Sequence, residues 1–363
     1  MRFIYVSRAF NRIGYSILKH LLSHGIYKPA AVVLSESPLS KLLDEPASAS
    51  KEIERYIDEA NFMGCRPIRF HGSISRLAHR FGIPVFYRKT LKDDTALAWL
   101  QSLAPDLIVL GGGWPELLPK CVIDMPRLGI INTHPSLLPD FRGTDIHRWQ
   151  IYHGVSRSGT TIHYVDQVFD TGDILGKAET EISDTDTPQA LADKAGVVAG
   201  PLISDVLGKI VASAPHKLLG EAQCGREDDS RYYSRWRWED RGFLRLDWTS
   251  SAVKLQCFVL ACTQESFRYN GPFFILRDQE YILREARVVP HDGTGKPGQV
   301  VWVDDDGIIV RCSDSDVALS MILIQPVSRK DWSPPSHNEP ARSARTYVSN
   351  GAIVIGDDLI VSD

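Results

Sequence analysis

Apolar residues follow two rhythms along this chain, and the change comes near residue 214. Through the first two hundred residues, short apolar runs alternate with stretches of helical spacing. Residues 2–6, 30–34, 84–87, 107–110 and 129–132 read as buried strands. Between them, Ile13, Ile17, Leu18, Leu21 and Leu22 recur at helical spacing and predict a helix over 13–22. Residues 94–103 and 145–153 predict two more. This alternation predicts an α/β fold with a Rossmann-like, mostly parallel sheet. Residues 160–165 and 174–182 then follow each other with a turn over 169–173 between them. They read as an antiparallel addition to that sheet. A long helix is expected over 188–211, with an Asp/Thr-rich start that suits an N-cap.

Beyond residue 214 the pattern is different. Residues 214–245 are polar and charged and read as a linker between units 1–213 and 246–363. Residues 250–262 predict a helix. Short strands are then expected at 273–277, 281–289, 299–303, 308–312 and 317–324, with Gly/Pro/Asp turns between them. Close strands with such turns predict a small OB-like β-barrel. Residues 333–345 read as a loop and 352–355 as a late strand.

Composition adds boundaries. A chain of 363 residues suits two domains, and 43% hydrophobic residues are enough to form cores without covalent staples. A net charge of −4 gives no global basic footprint for nucleic acid or anionic membrane. The six cysteines form no C-x-x-C pair and no zinc-site spacing, so reduced thiols in a cytoplasmic protein are expected. No apolar run is expected to span a membrane, and the apolar stretch near the N-terminus is too short for a signal peptide.

The chemistry concentrates in "INTHPSLLPDFRG". Asn132 and His134 alternate at the end of a strand, so they project to one side. Pro135 ends the ladder and Pro139 helps fix the following loop. An Asn amide donates to a developing oxyanion, and a His donates when charged or shuttles a proton when neutral. The spacing alone equally suits a pair that ties down the loop. In "QVFDTGDIL", Asp170 occupies a turn with Gly172 two positions on. An aspartate there makes an Asx turn, or, beside a histidine, raises its pKa and orients it.

"INTHPSLLPDFRG", followed by "TTIHYVDQVFDTGDIL", resembles the signature of the formyltransferases that use 10-formyltetrahydrofolate. That family includes glycinamide ribonucleotide, methionyl-tRNA and amino-sugar formyltransferases and a related deformylase. The resemblance implies Asn132, His134 and Asp170 as the catalytic trio. "GGGWPELLPKCVIDMPRLGIIN" is similar to the family's pterin-holding loop, which implies Glu116, Leu117 and Leu118 on one wall of the folate pocket and Val168 and Phe169 on the other. "RLDWTSSAVKLQCFVLACT" and "GKPGQVVWVDDDGIIVRC" resemble the C-terminal domain of the methionyl-tRNA enzymes. The likeness is strong over 104–182 and weaker over 245–325. It implies direct formyl transfer from 10-formyltetrahydrofolate to an amine, with no metal.

The acceptor side departs from the methionyl-tRNA pattern. "SRAFNRIGYS" offers Ser7, Arg8, Asn11 and Arg12 to an anionic acceptor group, or is a solvated loop. "RGTDIHRW" places Arg142, Gly143, Thr144 and Asp145, then His147 and Arg148, where an amine would be selected. Asp145 also reads as the N-cap of the next helix. From 217 to 363 the chain carries 18 Lys/Arg against 22 Asp/Glu, unlike a tRNA-binding domain. "RYYSRWRW" reads either as a stacking site for RNA or as a linker that packs its tryptophans. Residues 36–81 read as an acceptor-specific insertion. The expected acceptor is a small-molecule amine, an amino-sugar nucleotide first and a hydroxyornithine-type amine second. Methionyl-tRNA is the alternative acceptor, and a 10-formyltetrahydrofolate hydrolase or a non-catalytic folate-binding protein are alternative roles.

Overall fold

The computed structural model describes residues 1–9, 11–25, 27–35, 73–114, 116–224, 232–263, 271–303, 307–314, 317–327, 342–349, 353 and 355–359. Most of segment 36–81, and 333–341 of the expected loop, lie outside them.

A seven-stranded sheet is built from β1 (Phe3–Arg8), β2 (Ala31–Ser35), β3 (Val85–Arg88), β4 (Leu107–Leu110), β5 (Ile130–His134), β7 (Arg157–Tyr164) and β8 (Ile174–Glu181). Their order is β3-β2-β1-β4-β5-β7-β8. The first five are parallel, and β7 and β8 add antiparallel. β4 is buried along its whole length, because helices cover both faces of a parallel sheet. On one face pack α1 (Arg12–Ser23) and α6 (Pro188–Ser213), whose apolar stripes close over Tyr5, Val32 and Ile131. On the other, Leu100 of α3 (Asp94–Leu103) and Leu118 meet Ile4, Ile108 and Ile130. α2 is Ile74–Arg80. Chain order reverses between β1 and β4, and a crevice for ligands opens at the carboxyl ends of strands at such a switch.

α6 corrects one expectation. It has 26 residues, with a mean hydropathy of 1.5 over its most apolar window, long and apolar enough to cross a membrane by composition. Here that apolar surface packs onto the sheet and α1, with Leu191, Ile203 and Leu207 fully buried.

The C-terminal half follows α8 (Ala252–Ala261) with β10 (Phe273–Leu276), β11 (Gln279–Pro290), β12 (Val300–Val303), β13 (Ile308–Val310) and β14 (Val317–Val327). These form an antiparallel half-barrel in the order β10-β11-β14-β13-β12. The expected loop 333–345 ends in structure: β15 (Arg342–Ser343) pairs with β14, and α9 (Ala344–Ser349) follows. Ile353 and Ile355 lie in a bend and a turn rather than in the expected strand.

The segment read as a linker is a strap across the molecule. Its β9 (Tyr232–Tyr233) pairs in parallel with β6 (Arg142–Gly143), the strand after the proline loop. Trp236 is buried among Trp149 and Tyr152 of α5 (Ile146–Tyr152) and Phe258 of α8, so one apolar core runs from the parallel-sheet unit into the half-barrel. The segment is polar and charged, yet its aromatic residues pack it down, as the tryptophan-packing reading of "RYYSRWRW" expected.

Candidate functional site

Asn132 and His134 leave β5 on the same face. β7 lies antiparallel beside them, with His163 directly opposite Asn132. Directly opposed residues share a face, so His163 joins the pair. The sequence reading missed it, although "TTIHYV" puts a lone His into a run of β-branched residues.

The hydrogen bonds fix most of the tautomers. His163 donates from Nδ1 to the Tyr164 carbonyl at 2.7 Å. Its Nε2 is then free to accept from Asn132 Nδ2 at 3.2 Å. The same amide nitrogen donates to Asp170 Oδ1 at 3.3 Å. His134 donates from Nε2 to the Phe141 carbonyl at 2.7 Å, and its Nδ1 stands 3.4 Å from Asp170 Oδ1. The two amide contacts are long, so either can be exchanged for a stronger bond to a charged acceptor.

Burial pulls the His134 pKa below its ordinary value, against the opposite pull of Asp170 and the Phe141 carbonyl. Burial pushes Asp170 up, but His134, His163 and the Gly143 N–H outweigh it and hold the carboxyl well below its ordinary range. A charged His134 cannot be assumed as the stabiliser of Asp170 while its own pKa is depressed. The ionised carboxylate still stands, because Gly143 N donates to Oδ2 at 2.9 Å and Asn132 donates to Oδ1. The carboxylate thus stands beside an imidazole whose charged form burial disfavours, and Nδ1 can hydrogen-bond Asp170 only when the ring is charged.

Asp170 is held in the left-handed region, with φ 58°. Gly143 is needed where it donates. Its φ is +109°, and a Cβ there would lie 2.1 Å from the Tyr233 carbonyl oxygen on the strap.

A cavity of about 1270 Å³ opens from this cluster. At one end it is lined by Trp114, Glu116, Leu117, Leu118, Val168 and Phe169. Val168 is 59% exposed and Phe169 39%. The buried Trp114 Nε1 has no hydrogen-bond partner among the described residues. The Glu116 carboxylate is turned away, accepting from Thr90 Oγ1 at 3.0 Å and Leu91 N at 3.1 Å. Exposed apolar walls with an unused donor between them suit a flat heteroaromatic ring. At the other end stand Thr144, Asp145, His147 and Arg148, with residues 235–240 of the strap and Ile282 and Arg284 of β11, while Arg8 and Asn11 line the cavity beside Gly113, next to Trp114.

The acceptor-side expectations divide. Arg8, Asn11, Gly143, Thr144 and Asp145 line the cavity. Ser7, Arg12 and Arg142 do not. Ser7 is fully buried, Arg142 is 2% exposed beneath the strap, and Arg12 is ion-paired with Asp193 of α6 at 2.9 Å. Asn11 spends its Oδ1 capping α1, accepting from Gly14 N at 2.7 Å. Asp145 stands at the N-cap position of α5 as read, but it makes no side-chain capping bond; its Oδ2 accepts from Trp236 N at 2.9 Å. Arg148 donates to the carbonyls of Ala261 and Thr263 at 2.5 and 3.2 Å, which ties α5 to the end of α8. Loop residues found partners far along the chain that no local spacing could announce. Among the described residues, no group of three or more His, Cys, Asp or Glu side chains is arranged to hold a metal ion.

Comparison with known proteins accounts for both halves. A family model described as formyl transferase matches residues 30–207, and one described as formyl transferase, C-terminal domain, matches 241–336. A methionyl-tRNA formyltransferase of Geotalea uraniireducens is 31% identical over 249 residues, 69% of this chain and 75% of that protein. Among solved structures, the chain is similar to an N-formyltransferase from Helicobacter canadensis in complex with folinic acid and dTDP-3-aminofucose. The TM-score is 0.61 at 14% identity, over 88% of this chain and 99% of that one. HypX from Aquifex aeolicus in complex with tetrahydrofolic acid aligns with a TM-score of 0.55 at 13% identity, over 99% of this chain and 49% of that one.

Proposed function

The chain belongs to the formyl transferase family and is a folate-dependent N-formyltransferase, and we propose that its acceptor is the primary amine of a small phosphorylated molecule, an amino-sugar nucleotide first. The observation that carries this reading is the two-ended cavity. Its volume of about 1270 Å³ compares with roughly 300–1,000 Å³ for a single drug-sized ligand. The apolar end suits the pterin of 10-formyltetrahydrofolate. The polar end offers Arg235 to an anionic group, and Arg8 lines the cavity beside Gly113. The structural neighbour that carries dTDP-3-aminofucose supports the same class.

In this reading the amine nitrogen bonds to the formyl carbon as the bond from that carbon to N10 breaks. Asn132 turns its amide from its long contacts and donates to the formyl oxygen as it gains charge. His134, when protonated, supports that charge. Asp170 draws the proton from the attacking amine, directly or through water, toward the departing N10. These roles are supported by the shared face of Asn132 and His134 and by the ionised state of Asp170. Residues 1–213 would carry the chemistry, and 246–363 would close the acceptor end. A cytoplasmic location suits this chemistry.

Methionyl-tRNA is the second reading, favoured by identities of 31% and 34% to enzymes of that name. A formyl-transfer assay with 10-formyltetrahydrofolate against amino-sugar nucleotides, hydroxyornithine, charged initiator tRNA and a no-acceptor control separates them. Turnover with tRNA and with no small amine would overturn the proposal. Folate release without acceptor would indicate hydrolysis, and folate binding without turnover a silent protein.

A further inference from the structure

Gln223 follows α6 on a segment whose Glu221 exchanges backbone hydrogen bonds with Ile174 at 2.8 Å in both directions. Its side chain is 6% exposed. Nε2 donates to the Asp170 carbonyl at 3.0 Å and to the Gly172 carbonyl at 2.7 Å. Both partners are carbonyls, which only accept, so the group facing them has to be the NH2. One amide thus uses both its hydrogens to bridge the Asp170-Thr171-Gly172 turn. Asp170 sits in that turn at φ 58°, a conformation that surrounding bonds have to enforce. Gly172 shows how little room the turn has: a Cβ there would lie 1.9 Å from the Tyr164 carbonyl oxygen.

We propose that Gln223 is a positioning residue for formyl transfer, acting through the backbone of Asp170. Its amide fixes the turn from below while Gly143 N–H and Asn132 fix the carboxylate from above. The residue type follows from the chemistry. A carboxylate at this place would repel both carbonyls. An apolar side chain would leave them unpaired in a buried site. Asparagine lacks the reach to bridge them. Gln223 Oε1 is itself buried and has no hydrogen-bond partner among the described residues, so the side chain is oriented by the two NH2 bonds rather than by its carbonyl.

The inference rests on Asp170 acting in proton transfer, so Asp170→Asn is measured alongside. The variants are Gln223→Met, which keeps the bulk without the donors, and Gln223→Glu. For each, kcat, KM, the pH profile and the thermal midpoint are measured with the best amine acceptor. Displacement of a reacting group by about 1 Å costs on the order of 100-fold. We expect kcat to fall about 10- to 100-fold in Gln223→Met with KM for both substrates unchanged. Gln223→Glu should recover activity relative to the parent as pH falls, because the protonated carboxyl regains one donor. If Gln223→Met does not fold, the pH-dependent recovery of Gln223→Glu decides. A kcat equal to the parent's, or a loss matched by the fraction unfolded with no pH-dependent recovery, overturns the proposal. Full activity in Asp170→Asn overturns the catalytic reading and this inference with it, whereas an inactive Asp170→Asn beside a normal Gln223→Met overturns this inference alone.

Discussion

The catalytic cluster, at the inner end of the cavity, and the polar outer end are built on different principles. At the inner end, Asn132, His134, His163 and Asp170 lie on adjoining strands and one tight turn, and each is bonded to the next or to a backbone group. His134 is 4% exposed and His163 2%. At the outer end, Thr144 and Arg235 are exposed and come from two separate segments of the chain. The inner end is over-determined and the outer end is assembled. A preorganised cluster can stabilise charge without reorganising when the reaction occurs. An assembled, exposed wall can change its specificity without disturbing that cluster.

The largest effect should therefore come from the inner end. In the proposed mechanism, His134→Ala removes one contact of Asp170 and, when the ring is charged, one donor to the formyl oxygen. Loss of one such donor costs about 10²–10³ in kcat. Steady-state rates should show that loss with little change in KM. Retention of more than about a tenth of the parent rate would mean that the inner end is scaffolding.

Gly143→Ala tests whether the two ends are coupled. The added Cβ meets the Tyr233 carbonyl and the backbone resists φ +109°, so the β6–β9 pair and the bond to Asp170 loosen together. We expect a loss of roughly 1–3 kcal/mol in stability and a fall in kcat, read from a thermal melt and rates on the folded fraction. Loss of stability with an unchanged kcat would leave the strap structural only.

The same contrast explains what could be read from the chain. The helix at Asp94–Leu103 and the strand at Leu107–Leu110 have the bounds their periodicity predicts, because burial on a regular element leaves a local pattern. The pair Asn132 and His134 was legible for the same reason. His163 was not, because its role comes from the register between β5 and β7. The packing of the strap's tryptophans was legible in "RYYSRWRW", but the two-residue pairing of Tyr232–Tyr233 with Arg142–Gly143 was not, because it is set by a strand ninety residues away. Arg12 shows the reverse error. A cation beside a candidate site looked like a ligand contact, yet its partner is Asp193, 181 residues away.

At the outer end, replacing Arg235 by Ser should raise KM for an anionic acceptor about tenfold, the cost of one charge-assisted contact. KM for the folate and kcat should stay as they were, since Arg235 stands with the strap and not with the pterin walls. Equal weakening of both substrates would show that the acceptor and folate sites are not separate.

His147 gives the smallest effect and the sharpest sign. It stands at the outer end beside Arg148, its Nε2 buried without a hydrogen-bond partner among the described residues. Burial first, then His134 and Arg148, pull its pKa down to about 3, against about 6.5 in an unfolded chain. Between those values the unfolded chain binds a proton that the folded protein refuses. Stability should therefore fall as pH drops below about 6.5, and His134 adds to the fall in the same direction. Asp170 acts in a separate window. Its depressed folded value costs stability only below the ordinary carboxylate range, near pH 4. His147→Gln should thus flatten the thermal midpoint between about pH 6 and 4 and leave it nearly unchanged above pH 7. The ring borders a cavity wide enough for water, so the recovered stability should be roughly 1–2 kcal/mol rather than the full difference. An unaltered slope would mean that His147 already takes up its proton in the fold, and that the outer end reaches deeper toward His134 than its exposed arginines suggest.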